Sequence, residues 1–255
     1  MRGFYRLVNY EVTRMIKVTL CLCIGIILLP IYLLHLSLKD LHPHSVIERF
    51  ENIYAASGAI IVFLLLLLLL IGYFVVTIYS HYWGSKSIYT YLTLPIKREA
   101  FYFSYFIAFM ICLLVFFTAK LVSVYWGYSI YVSRIDDITN GEAVMTNGLF
   151  LAFIRSEFLR TIFPMTVNGI FSTVSIFLAL VTGTLYGVLC ERSKRFAGFF
   201  FITLSIGIII YILNYRLSDP IYVYSNLYIT GSLLFILSGY FIWKSVKILK
   251  SGSIV

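Results

Sequence analysis

The side chains able to do chemistry are few in this sequence and do not converge. Cys21 and Cys23 form a Cys-x-Cys pair that offers thiolates to a soft metal, but no histidine or carboxylate accompanies them in the surrounding apolar run. Cys112 and Cys190 also sit in or at the end of apolar runs, so all four read as small buried hydrophobes with no disulfide framework. Asp40 and the run His42-Pro43-His44 are the other metal-type donors, and three neighbours in one loop do not by themselves make a site. A phosphate-cradling G-x-x-x-x-G-K-[ST] loop is absent, so ATP chemistry is not expected of this chain. Paired carboxylates, His-x-x-x-His ligands and Ser/His arrangements are missing from the apolar runs, and with them the outline of an intramembrane enzyme. Those runs also hold no Asp or Glu, the usual ion site of a proton- or sodium-driven carrier; this argues against ion coupling and leaves carbonyl-built sodium sites open. Lys120 is the one charge inside a hydrophobic stretch. It stands 21 residues beyond Glu99, about 31 Å along a helix, and is expected to snorkel at the far headgroup layer, with substrate contact in an outer vestibule as the alternative.

The elements that would hold these residues are apolar helices. Of 255 residues 61% are hydrophobic and 12% charged, where a soluble domain carries about a quarter charged; the mean hydropathy is +0.94. Apolar blocks recur from end to end and leave no stretch for a soluble core. The expected fold is therefore an all-α integral membrane protein, a single domain over residues 1–255. A span needs about 20 apolar residues. Six runs qualify, near 18–36, 55–79, 100–120, 165–190, 196–213 and 227–243. Ahead of them Phe4, Leu7, Val8, Tyr10, Met15 and Ile16 fall at mostly helical spacing among Arg2, Arg6, Glu11, Arg14 and Lys17. That pattern predicts an amphipathic elbow helix over 1–17 leading straight into the first span, not a cleavable signal peptide. The five residues Glu191 to Arg195 predict the tight turn of a helical hairpin. Leu121 to Ser133, followed by Arg134, Asp136 and Asp137, reads as an interfacial continuation and not a seventh span. Residues 149–163 mix Phe150, Phe153 and Phe158 with Arg155, Glu157 and Arg160, which predicts an outer interfacial helix.

Basic residues set the expected orientation. With the amino terminus in the cytoplasm, thirteen Lys and Arg fall in inside segments and six outside, with Lys120 at a boundary. Both termini are then cytoplasmic. The net charge of +9 follows from this asymmetry and calls for membrane lipid, with no nucleic-acid partner.

The loop between the second and third runs carries His81, Trp83, Lys86, Tyr89 and Tyr91 and closes on Leu94-Pro95-Ile96-Lys97-Arg98-Glu99. Pro95 suits the first turn of a helix and disfavours helical geometry at Leu94. A short segment near Gly84 to Leu92 is thus expected to lie across the cytoplasmic face, joined stiffly to the third span. The stretch from Tyr91 to Glu99 resembles the L-P-I-x-R-x-E signature of type-2 ABC exporter permeases. The layout is similar too: an elbow helix, six spans, and a coupling helix between spans two and three. That resemblance implies that Lys86, Tyr89, Tyr91, Leu94, Pro95, Lys97, Arg98 and Glu99 couple to a separate ABC ATPase dimer. ATP and Mg would be bound there, and no cofactor in this chain. It further implies a second permease half, identical or paralogous, and residence in a bacterial cytoplasmic membrane. Members of this size include exporters of peptide toxins or antimicrobial peptides and permeases of self-immunity systems.

Gly183 and Gly187 form a G-x-x-x-G pair that lets two helix backbones approach, within the chain or between two copies. The 21 Tyr and 22 Phe fill interfacial belts and lipid-facing positions. Some, such as Tyr102, Phe103, Tyr105, Phe106 and Phe109, could line a greasy path for a hydrophobic or amphipathic cargo, peptide or lipid-like, although no substrate residue is assigned. The alternatives to an exporter subunit are an ion-coupled transporter or channel and a membrane sensor or scaffold that moves nothing.

Overall fold

A computed structural model describes residues 2–39, 48–80, 98–139, 148–194, 196–218 and 225–251. Among them every regular element is a helix: α1 (Arg2–Lys39), α2 (Phe50–Ala56), α3 (Ala59–Tyr79), α4 (Arg98–Thr139), α5 (Gly148–Arg155), α6 (Glu157–Ile162), α7 (Val167–Arg192), α8 (Gly198–Ser218) and α9 (Ser225–Ser251). Six of these, α1, α3, α4, α7, α8 and α9, are long and apolar enough to cross a membrane.

Each expected span falls in one of the six, but their limits differ for identifiable reasons. The elbow sequence and the first span form one continuous helix of 38 residues. Its buried positions match the expected apolar set in part: Leu7 and Met15 are enclosed, but Glu11 is enclosed with them while Tyr10 is exposed. The second span starts at Ala59, not 55, because Gly58 takes a positive φ of 80° that ends α2 and restarts the chain. The third runs unbroken for 42 residues, about 63 Å, absorbing the stretch read as an interfacial continuation, since no proline interrupts it. The segment 149–163 divides into the two short helices α5 and α6. Pro164 precedes α7, and Thr166 caps that helix, its hydroxyl accepting from the Gly169 amide at 3.2 Å. After α7 the expected tight turn closes with Lys194 at φ 55° and its amide on the Glu191 carbonyl.

The chain packs as two compact units, to which α1, α3 and α4 each contribute a part: Met1–Ile16, Ile71–Cys112 and Phe163–Val255 in one, Lys17–Leu70 and Leu113–Ile162 in the other. In the first unit α9 lies along α7, with α8 against both. Ile176 and Ala179 of α7, Ile212 of α8 and Leu227 and Leu234 of α9 form one cluster, and Tyr186, Cys190, Phe241 and Ile248 another. Phe74 and Phe109 stack with centroids 4.4 Å apart. In the second unit Leu34 and Leu38 of α1 join Phe50, Ile53 and Tyr54 of α2, Val124 of α4, Ala152 of α5 and Leu159 of α6.

Gly183 and Gly187 face neighbours in their own chain. A methyl group at Gly183 would meet only the Phe241 ring at 3.7 Å, and one at Gly187 the tip of Ile202 at 3.3 Å. At Gly198 it would collide with the Cys190 sulfur and the Tyr186 hydroxyl. Gly198→Ala is therefore expected to destabilise by about 1–3 kcal/mol in an unfolding titration, and Gly183→Ala by less than about 1 kcal/mol. Equal losses at both positions would contradict this packing.

Candidate coupling face and buried polar sites

Of the residues expected to couple to a partner, Lys86, Tyr89, Tyr91, Leu94, Pro95 and Lys97 lie outside the described residues, as do Asp40, His42 and His44. Arg98 opens α4. Glu99 follows it directly, one position earlier than in the permease signature. Its carboxylate pairs with Lys250 of α9 at 2.5 Å, both side chains partly exposed, a geometry that fixes direction more than it stabilises.

The helix ends flanking residues 81–97 each contact another helix of the first unit. Arg14 of α1 donates to the Ser80 hydroxyl at 2.7 Å, just past the end of α3. The Arg192 guanidinium at the end of α7 stacks 5.1 Å over the Tyr79 ring. These two contacts link the end of α3 to α1 and α7, and the Glu99–Lys250 pair links the start of α4 to the last turns of α9.

Glu11 is a buried carboxylate that the sequence reading left outside the spans. It is fully enclosed, and neither oxygen closes a hydrogen bond, although the Tyr105 hydroxyl and Arg14 lie beside it. Since α1 is one helix from Arg2 to Lys39, this acid belongs to one of the six membrane-length helices. Its signal was present in the sequence: Leu7, Glu11 and Met15 repeat every four residues, which puts an acid in the middle of an apolar stripe. Glu11→Gln, which removes charge and keeps shape, is expected to hold or raise the unfolding temperature, by roughly 2–4 °C if about 1 kcal/mol of desolvation is relieved. A fall of that size would show that the charge itself stabilises the fold.

Lys120 does not snorkel. It is completely buried in the second unit, and its ammonium donates to the Tyr54 hydroxyl at 2.6 Å. The rings of Tyr54, Phe63 and Phe158 surround it with centroids 5.1, 5.5 and 5.6 Å from Nζ. The reason is that α4 continues to Thr139, so Lys120 sits in mid-helix under α2, α3 and α6 instead of at a helix end. Such an aromatic box attracts a cation through ring quadrupoles where water is excluded.

Arg216, one of the six basic residues counted outside, is likewise buried. Its guanidinium donates to the Gly169 carbonyl and the Thr173 hydroxyl, both at 3.0 Å, and to the Ser172 hydroxyl. Because α8 extends to Ser218, Arg216 lies within the helix and turns back onto the first turns of α7. Nothing in local sequence pattern joins Arg216 to residues 169–173, or Lys120 to Tyr54; both pairings are products of helix packing. Comparisons with known protein families, curated proteins and solved structures give no match to this chain.

Proposed function

We propose that this chain is the transmembrane permease half of an ATP-driven exporter that moves a hydrophobic or amphipathic cargo outward across the bacterial cytoplasmic membrane. A separate ABC ATPase dimer binds ATP and Mg and supplies the stroke, and a second permease half completes the pathway. The observation that supports this most is where the third membrane-length helix begins. Between the end of α3 at Tyr79 and the start of α4 at Arg98 lies the one stretch that resembles a coupling motif, Tyr91 to Glu99. The contacts Glu99–Lys250, Arg14–Ser80 and Arg192–Tyr79 fix the helix ends on either side of it. A push delivered there meets anchored helices and not slack chain. In this reading nucleotide chemistry belongs to the partner, in keeping with a sequence that carries no phosphate-binding loop.

Affinity purification of the chain from its own host, with hydrolysis then assayed on the purified complex, tests the proposal. An ATPase subunit that copurifies and is stimulated by cargo supports it; a preparation without one, with full transport, refutes it. Glu11 favours a second reading, an ion-coupled carrier, because it is an enclosed acid in a membrane-length helix. Flux that persists without ATP and collapses with the ion gradient would select that reading. An ATPase complex with no cargo flux would point to sensing.

A further inference from the structure

A shallow apolar groove of about 400 Å³ runs along α8 in the first unit. Phe200, Leu204, Gly207, Ile208 and Tyr211 line it from one face of α8, and Thr230 from α9. These α8 positions run over twelve residues, about 16 Å of helix from first to last. Gly207 leaves the floor open, with nothing within 4 Å of where a methyl group would sit. In a membrane-length helix such an outward groove is filled by hydrocarbon.

One end of the groove meets a cationic aromatic patch. Phe201, the neighbour of Phe200, packs its ring 4.7 Å from that of Tyr240 on α9. The Lys244 ammonium lies 5.6 Å over Tyr240 and 5.1 Å over Trp243, and Lys247 lies 5.6 Å over Trp243. Trp243 is 57% exposed, as suits an indole at headgroup level. Neither lysine forms an ion pair among the described residues, where Lys250 is the one that meets a carboxylate. Thr230 and Lys244 are fourteen residues apart, which returns Lys244 to within about 40° of the same face of α9. An apolar channel with the Lys244 ammonium beyond one end, Lys247 about one turn further along α9 and an interfacial indole beside them suits a glycerophospholipid with net negative charge.

We propose that the α8–α9 groove seats an acyl chain of an anionic phospholipid whose phosphate is held by Lys244 and Lys247. Native mass spectrometry of the full-length chain, supplied with phosphatidylglycerol or phosphatidylcholine in detergent, tests it. The unsubstituted chain is expected to retain phosphatidylglycerol about 30-fold better, roughly fivefold for each lysine near the headgroup. The double variant Lys244→Gln/Lys247→Gln is expected to lose that preference. Gly207→Leu, whose Cβ meets nothing within 4 Å and whose branch would occupy the groove, is expected to weaken retention of both lipids while the helical circular dichroism stays unchanged. Equal retention of the two lipids by the unsubstituted chain, or undiminished selectivity in the double variant, overturns the headgroup assignment. Unchanged lipid retention in Gly207→Leu, with loss of self-association instead, would make the groove a contact between copies and overturn the acyl-chain assignment.

Discussion

Replacing Tyr54 with phenylalanine is expected to destabilise the chain by about 1.5–3 kcal/mol, read from the unfolding midpoint in detergent. The ring and its cation–π contact stay, and only the hydroxyl that accepts from Lys120 at 2.6 Å is removed. A hydrogen bond to a charged group in an enclosed site is worth about that much, and its loss strands a donor that water cannot reach. Lys120→Met is expected to behave differently. It removes the buried charge and keeps a flexible apolar side chain among Tyr54, Phe63 and Phe158, so stability should change by less than about 1 kcal/mol or rise. The two substitutions should be strongly non-additive: in the Lys120→Met background Tyr54→Phe should cost little. Additive losses would mean that Tyr54 and Lys120 contribute through other neighbours.

The second large effect concerns coupling. Tyr89→Ala and Tyr91→Ala, in the connection between α3 and α4, are expected to lower cargo-stimulated ATP hydrolysis by the partner about tenfold or more, within the usual range of coupling energies between sites. For side chains that serve coupling alone, the unfolding midpoint of the isolated chain should stay where it is. Unchanged hydrolysis and unchanged assembly in both variants would remove this connection from the coupling route. A drop in stability alone would make the tyrosines structural.

Helices and membrane character were legible from the sequence because each apolar run exceeds the thickness of hydrocarbon and carries few charges, and six membrane-length helices result. Helix ends were less legible. Hydropathy reports where lipid is tolerated, whereas a helix continues as long as backbone geometry allows, so α1 and α4 run well beyond their apolar windows. Gly58, with its positive φ, marks a stop that hydropathy does not register. The buried polar residues were the least legible. Lys120 and Arg216 find partners 66 and 43 to 47 positions away in sequence, and no periodicity links residues so far apart. Glu11 was an avoidable miss, since its place in the Leu7, Glu11, Met15 repeat was visible once the elbow and span were treated as one helix. The G-x-x-x-G pair left two options open; within the chain a methyl group at Gly183 would meet Phe241 and one at Gly187 would meet Ile202. Glu99, expected from the sequence to face a partner, pairs with Lys250 and joins the first turn of α4 to the last turns of α9.

The most direct measurement is vectorial transport by the purified chain reconstituted in liposomes, alone and with its copurifying ATPase, with and without ATP and an ion gradient. The account predicts no net movement by the chain alone, and ATP-dependent movement, indifferent to the gradient, once the ATPase is docked. Movement by the isolated chain driven by an ion gradient, and lost in Glu11→Gln, would contradict it.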